Sequence, residues 1–322
     1  MKRKIHIIAL AVFFLLLMPV GAAAAEFLIP GGQVIGLQLQ NGTVTIAAFD
    51  DVLGMNAREK GLQVGDEILT ANGHTVSCAE DIRNILNRTD VPVTLCIRRN
   101  GKQHTMEIMP HQTTEGPRLG IHLKQGITGI GTVTWYDPDT RIFGTLGHGV
   151  HDSSGLLLNM TRGTAYRAQV VSVKKGQCGE PGLLKGSADS RDPFGTLFKN
   201  TAQGVFGTVS GSLQGEAVPV ADFEEVRTGD ARIRSAISGT DVQEYSVEIL
   251  KIYPEDRRNS RNFLLKVTDP DLLSKTGGIV QGMSGSPILQ DGKLIGAVTH
   301  VLVNDPTRGY GIFIENMLDA AA

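Results

Sequence analysis

The residues best suited to chemistry cluster in Gly282-Met283-Ser284-Gly285-Ser286-Pro287, where a serine sits between glycines just ahead of an apolar stretch beginning at Ile288. A free serine hydroxyl is a poor nucleophile near neutral pH and needs a neighbouring base. The glycines let the chain turn tightly, so that the N–H groups of Gly282 and Ser284 can converge where the oxygen of a tetrahedral intermediate would carry its charge. The tract therefore predicts acyl transfer with Ser284 as nucleophile. An α/β-hydrolase elbow would need glycine where Ser286 stands and a strand-to-helix context, so that route is disfavoured.

Eight histidines are available as bases. His6 lies in the N-terminal apolar segment, and His74, His104, His111 and His122 lie in the first domain or near the linker. His148, in Phe143-Gly144-Thr145-Leu146-Gly147-His148-Gly149-Val150, follows an apolar run, and its flanking glycines permit close approach of another segment. It is the predicted base. His300 lies in the strand-like run after the serine, where it could line a cleft or be a half-buried structural residue. His148, His151 and Asp152 could be read as metal ligands, but two histidines and a carboxylate in one loop arise readily by chance. No metal and no cofactor is expected.

Such a site needs a rigid frame. At 322 residues, 41% hydrophobic and 20% charged, the chain can form two compact domains. Thirty-nine glycines and 5% aromatics suit short strands and tight turns better than a helical bundle, so the expected class is mostly β. A net charge of -2 offers phosphate backbones no broad attraction, and nucleic acid is not an expected partner. Residues 1–25 read as a targeting segment: Met1-Lys2-Arg3-Lys4 is basic, Ile5 to Val20 is nearly all apolar, and Ala22 to Ala25 are small. The apolar part is long enough to stay as an anchor across a hydrocarbon core of roughly 30 Å. A cleaved signal and an uncleaved anchor both remain open; either implies export. Three cysteines rule out a complete disulfide framework. Cys96, within Val93-Thr94-Leu95-Cys96-Ile97, reads as a small buried hydrophobe, with a Cys78–Cys96 bridge as the alternative. Cys178 lies in a loop without an adjacent histidine, which argues against a nucleophilic role.

Residues 26–110 have the pattern of an α/β module. Apolar runs at Val34 to Leu39, Thr43 to Phe49, Glu67 to Ala71 and Pro92 to Arg98 enclose one helical stretch, capped by Ser77 with Glu80 three residues on. Asn100-Gly101 predicts a two-residue hairpin. The string Ala57-Arg58-Glu59-Lys60-Gly61-Leu62-Gln63-Val64-Gly65-Asp66-Glu67-Ile68-Leu69, ending in Asn72-Gly73, resembles the central signature of PDZ domains. That resemblance implies a groove binding an extended chain by strand addition, with the loop containing Val34, Ile35, Gly36 and Leu37 presenting N–H groups to a C-terminal carboxylate. Residues 111–116 are short and polar, as in a linker. From 117 to 322, β-rich runs such as Gly131 to Tyr136, Tyr166 to Val173, Gly204 to Val209 and Tyr245 to Tyr253 alternate with Gly, Asp, Asn and Pro turns. The serine tract resembles the nucleophile loop of bacterial chymotrypsin-like peptidases, which implies a double β-barrel after the PDZ module.

A longer set of matches is more specific. Thr268-Asp269-Pro270-Asp271-Leu272-Leu273, Thr276 to Pro287, Ala297-Val298-Thr299-His300-Val301 and Val303-Asn304-Asp305-Pro306-Thr307, together with Leu28-Ile29-Pro30-Gly31-Gly32 and Gly144 to His148, resemble the stage IV sporulation B family of PDZ-bearing signalling peptidases. By that resemblance the triad is Ser284, His148 and Asp269. In the commoner arrangement the aspartate lies nearer the histidine, where Asp189 and Asp192 stand. Asp269 can also be read as merely initiating the Asp269-Pro270 turn. The acid's role would be to hold the other imidazole N–H and stabilise the imidazolium.

The resemblance further implies an exported serine endopeptidase acting between the forespore and mother-cell membranes. It would cleave itself and the extracytoplasmic part of a membrane-bound regulator, triggering processing of a sigma-factor precursor. Two other readings are a general extracytoplasmic quality-control protease and a catalytically silent PDZ scaffold.

Overall fold

The computed structural model describes residues 27–88, 91–152, 155–254 and 260–322; the predicted export segment lies outside the described residues. The chain begins with β1 (Phe27–Pro30) and the long β2 (Val34–Phe49). It continues through α1 (Met55–Glu59), β3 (Glu67–Ala71), β4 (His74–Thr75), α2 (Ala79–Leu86), β5 (Val93–Arg99) and β6 (Lys102–Ile108). A hairpin of β7 (His111–Thr113) and β8 (Gly116–Arg118) leads into a second long strand, β9 (Ile121–Tyr136). Then come β10 (Ile142–Thr145), β11 (Arg162–Lys174), β12 (Leu183–Thr201), β13 (Gly204–Val209) and β14 (Val218–Pro219). The remainder is β15 (Gly229–Ala236), β16 (Val242–Ile252), β17 (Phe263–Val267), α3 (Pro270–Thr276), β18 (Pro287–Gln290), β19 (Lys293–Leu302), β20 (Asp305–Phe313) and α4 (Ile314–Ala321).

These strands close two barrels. In the first, the Val34–Leu39 half of β2 pairs with β11 on one side and with Thr132 to Ile127 of β9 on the other. Pairings of β9 with β10, β10 with β13, β13 with β12 and β12 with β11 complete the ring. The second is the closed barrel β15-β16-β17-β20-β19-β18. Antiparallel alternation points every second side chain inward. Leu37, Val133, Phe143 and Phe194 fill the first barrel, and Ile233, Val247, Phe263 and Val298 the second. Helix α4 buries Ile314 and Met317 at the seam, against Trp135 and Phe206 of one barrel and Leu294 and Ile312 of the other.

The α/β unit is an insertion in the first barrel, which differs from the expected tandem order of 26–110, linker 111–116 and 117–322. Strands β2 and β9 are each 16 residues long, enough at about 3.3 Å per residue to pass through two cores. Their outer halves, Val44–Phe49 and Ile121–Gln125, stay paired and form the wall of the unit, where β2 also pairs with β3. Ile46, Ile68, Ile82, Leu95 and Ile97 are its core. Between the two cores the pairing breaks, from Leu39 to Val44. Gly126 makes the crossing at φ +64, where a Cβ would lie 1.8 Å from the Leu39 carbonyl oxygen. The 111–116 stretch forms most of the β7–β8 hairpin rather than a linker.

Local signals fared differently. Asn100 and Gly101 adopt φ 48 and 75 between β5 and β6, the left-handed pair that a two-residue hairpin requires. Helix α2 is capped one residue later than expected: Asp81, not Glu80, reaches back to the N–H groups of Ser77 and Cys78. Cys78, Cys96 and Cys178 are free thiols, and Cys96 is half-buried, not buried.

Candidate active site

The two barrels face each other across a cleft of about 400 Å³ that holds both predicted reacting residues. Ser284 comes from the turn between α3 and β18, His148 from the loop after β10. His300, on β19, lines the same cleft, with apolar walls from Leu39, Ile130, Leu146, Val280 and Val301. The site is therefore assembled from both barrels.

The Ser284 hydroxyl donates to the carbonyl of Thr299 at 2.9 Å, and it has no hydrogen bond to His148. Catalytic hydrogen bonds are often loose without substrate and tighten in the complex. Nδ1 of His148 lies 3.0 Å from the carbonyl oxygen of Gly149. An acceptor there fixes the proton on Nδ1 and leaves the Nε2 lone pair free, the tautomer a general base needs. The His148 and His300 rings pack 5.2 Å apart, tilted by 40°. Burial pushes the His148 pKa below its ordinary value; the Gly149 carbonyl opposes this and the charge of His151 adds to it. Burial, with the charges of His148 and Arg261, pushes His300 down to about 4. Burial thus favours the neutral form of both imidazoles.

The nucleophile loop depends on its glycines. Gly285 has φ +95, and a Cβ there would meet the Thr132 carbonyl oxygen at 2.1 Å and the Leu146 nitrogen at 2.5 Å. Gly282 has φ +99. The N–H groups of Met283, Gly285 and Ser286 donate to Val280, Val298 and Met283. Among the described residues, those of Gly282 and Ser284 meet no acceptor. The loop thus keeps free the two donors expected to receive an oxyanion.

The expected third member is elsewhere. Asp269 is the N-cap of α3, its carboxylate accepting from the N–H groups of Asp271 and Leu272 at 3.0 Å and of Ser246 at 3.3 Å. It makes no hydrogen bond to His148. The local pull of Asp269-Pro270 into a helix start outweighs the long-range role carried over from the family. Asp189 pairs with Arg191 and Asp192 with Arg167, so neither replaces it.

The carboxylate loop is corrected as well. Val34, Ile35, Gly36 and Leu37 are buried in a stave of the first barrel, Ile35 to Leu37 paired with both β11 and β9 and Val34 with β9, so they do not form an open loop of N–H groups for a carboxylate. A groove lies instead between α2 and the start of β9, lined by Ile82, Leu86, Leu119, Ile121 and Leu123. There β9 is paired with β2 on one edge only. The N–H groups of Leu119 and Gly120 meet no acceptor among the described residues. The signal was present: Leu119-Gly120-Ile121 and Ile35-Gly36-Leu37 share one apolar-glycine-apolar pattern, and only the fold tells which copy adjoins the helix.

The model of the family described as SpoIVB peptidase S55 matches residues 115–318, well over half of the chain. The chain belongs to the SpoIVB peptidase family. That family is one of exported sporulation serine peptidases. A curated relative, the "Putative zinc metalloprotease R01501" of Rhizobium meliloti (strain 1021), is 27% identical over 101 residues, 31% of this chain and 26% of that one. The chain thus spans about a quarter of that relative's length, and the activity in the relative's name belongs to that protein. Among solved structures, the active form of the Rv3671c protease from M. tuberculosis has a TM-score of 0.34 at 17% identity, over 61% of this chain and 75% of that one. The HtrA-type protease AlgW with a decapeptide has a TM-score of 0.34 at 13% identity, over 65% and 56%.

Proposed function

We propose that Ser284 Oγ attacks the scissile carbonyl of a protein substrate while Nε2 of His148 takes its proton. The N–H groups of Gly282 and Ser284 hold the oxyanion, and His148 then gives its proton to the leaving amine. Water repeats the sequence on the acyl-enzyme. The Gly149 carbonyl holds Nδ1–H and keeps the imidazole in the basic tautomer. The observation carrying this reading is that Ser284, His148 and Gly282 line one cleft, while the N–H groups of Gly282 and Ser284 meet no acceptor among the described residues. The α/β unit acts as a PDZ-type module, taking an extended chain into the groove between α2 and β9. In the cell the enzyme works in the space between the forespore and mother-cell membranes. It cleaves itself and the extracytoplasmic part of a membrane-bound regulator.

A fluorophosphonate probe tests the chemistry. The wild type should be labelled, and Ser284→Ala and His148→Ala should not; equal labelling of wild type and Ser284→Ala would overturn it. Mass-spectrometric mapping of self-cleavage in the same proteins tests the biological part.

A further inference from the structure

We infer that the first barrel sets the oxyanion hole, and that Thr132 is its positioning residue. This rests on the Ser284 reading above. Both peptide groups that meet at Gly282 are fixed from outside their own barrel. The carbonyl of Gln281 accepts from the N–H of Leu184, on β12, at 2.8 Å. In a planar trans peptide the C=O and the following N–H point in opposite directions. The bond to Leu184 therefore turns the Gly282 N–H away from β12, in a stretch that lines the cleft. The next carbonyl, that of Gly282, accepts from the Thr132 hydroxyl, on β9, at 2.8 Å. The backbone N–H of Thr132 also holds the Ser284 carbonyl, at 3.0 Å.

Gly282 sits at φ +99, where a glycine has no side chain to restrain rotation of either neighbouring peptide. With the Thr132 hydroxyl removed, the Gly282 carbonyl loses that bond and its peptide keeps the 3.1 Å Met283 N–H bond to Val280, within the loop itself; the loop can then turn the carbonyl toward the cleft and carry the adjoining Gly282 N–H out of line. Thr134, two residues on and on the same face of β9, donates to the Gly285 carbonyl, also at 2.8 Å. Both threonines are fully buried. Their bonds are alike in length, that of Thr132 reaching a half-buried glycine and that of Thr134 a buried one, but only that of Thr132 holds a peptide adjoining an oxyanion donor. Thr134 is therefore a matched control.

The test compares Thr132→Val, Thr132→Ser and Thr134→Val in the full chain, using a cleavable peptide and the same peptide ending in a boronic acid, which becomes tetrahedral on Ser284. Losing one oxyanion donor outright costs on the order of 10² to 10³ in kcat. Misaligning one should cost about 10- to 100-fold. Thr132→Val is expected to lower kcat by that factor with KM nearly unchanged, and to weaken the boronate equally. Thr132→Ser, which keeps the hydroxyl, should restore both. Thr134→Val should lose similar stability and keep kcat. If Thr132→Val does not fold, Thr132→Cys, a weak donor of similar size, should give an intermediate loss of kcat. Equal losses in Thr132→Val and Thr134→Val, or a fall in KM-dependent binding alone, would overturn the inference. A wild type that fails to bind the boronate at Ser284 would instead overturn the nucleophile assignment beneath it.

Discussion

Asp269→Asn separates a helix cap from a catalytic acid. In the structure the Oδ1 atom of Asp269 accepts two first-turn N–H groups and Oδ2 accepts the more distant Ser246 N–H. Asparagine is as good an N-cap as aspartate, so the Asn variant keeps the Oδ1 bonds and loses only the 3.3 Å contact to Ser246, at about 0.5–1 kcal/mol. Alanine loses all three bonds. The cap contributes about 1 kcal/mol and the stranded Ser246 N–H about another 1, so Tm should fall by about 4–8 °C for a domain of this size. Neither oxygen touches the imidazole, so Asp269→Asn should keep kcat/KM within about threefold of wild type, a barrier change under about 0.7 kcal/mol. Loss of a triad carboxylate would cost about 10⁴ in kcat with stability intact. Thermal unfolding followed by fluorescence, beside steady-state peptide cleavage, reads both quantities. A fall of that size in Asp269→Asn with unchanged Tm would refute the capping account and return Asp269 to the triad.

The remaining predictions concern the base and the loop. Because burial disfavours the imidazolium of His148, the acid limb of kcat/KM should lie below the ordinary histidine value of 6.5. The base works only when neutral, so activity is lost as pH falls through the depressed pKa. His151→Asn removes the neighbouring like charge and should move that limb upward; a wild-type limb above pH 7 in a pH–rate profile contradicts the burial argument. Gly282→Ala forces a side chain into φ +99 with its Cβ 3.0 Å from that of Leu184. It should cost about 1–3 kcal/mol locally and lower kcat by about 10² through the displaced donor, seen as slow fluorophosphonate labelling by a protein that still folds.

What could be read from the sequence was local. The glycines around Ser284 and His148 state their own geometric need, since each marks a turn or close approach that any fold would have to honour. Asn100-Gly101 likewise encodes its turn within two residues. Identical local patterns, by contrast, serve different distant partners. Ile35-Gly36-Leu37 and Leu119-Gly120-Ile121 differ only in what packs beside them, and strand periodicity cannot say whether a neighbour is a barrel stave or a helix. Asp269 carries two meanings: a triad role borrowed from resemblance and a cap written into Asp269-Pro270-Asp271. The structure realises the second because three backbone donors lie within reach of the carboxylate.

The insertion of the α/β unit follows from the two long strands. Had the unit preceded the barrel in tandem, β2 would end with the unit and the first barrel would lack a stave. As it stands, Leu39 of β2 lies opposite Ile127 of β9, so the chain leaves the barrel and re-enters it at neighbouring points, and everything between can fold around its own core. Gly126, with no room for a Cβ beside the Leu39 carbonyl, is where that exit and return are pressed together. The arrangement also makes β9 a single strand with three duties along its length. Ile121 and Leu123 wall the groove, Ile127 and Ile130 wall the cleft, and Thr132 holds the nucleophile loop. Removal of residues 27–125 would therefore take β2 with it and open the first barrel. Excision between Gln40 and Gly126 would spare both staves, because their ends are already adjacent.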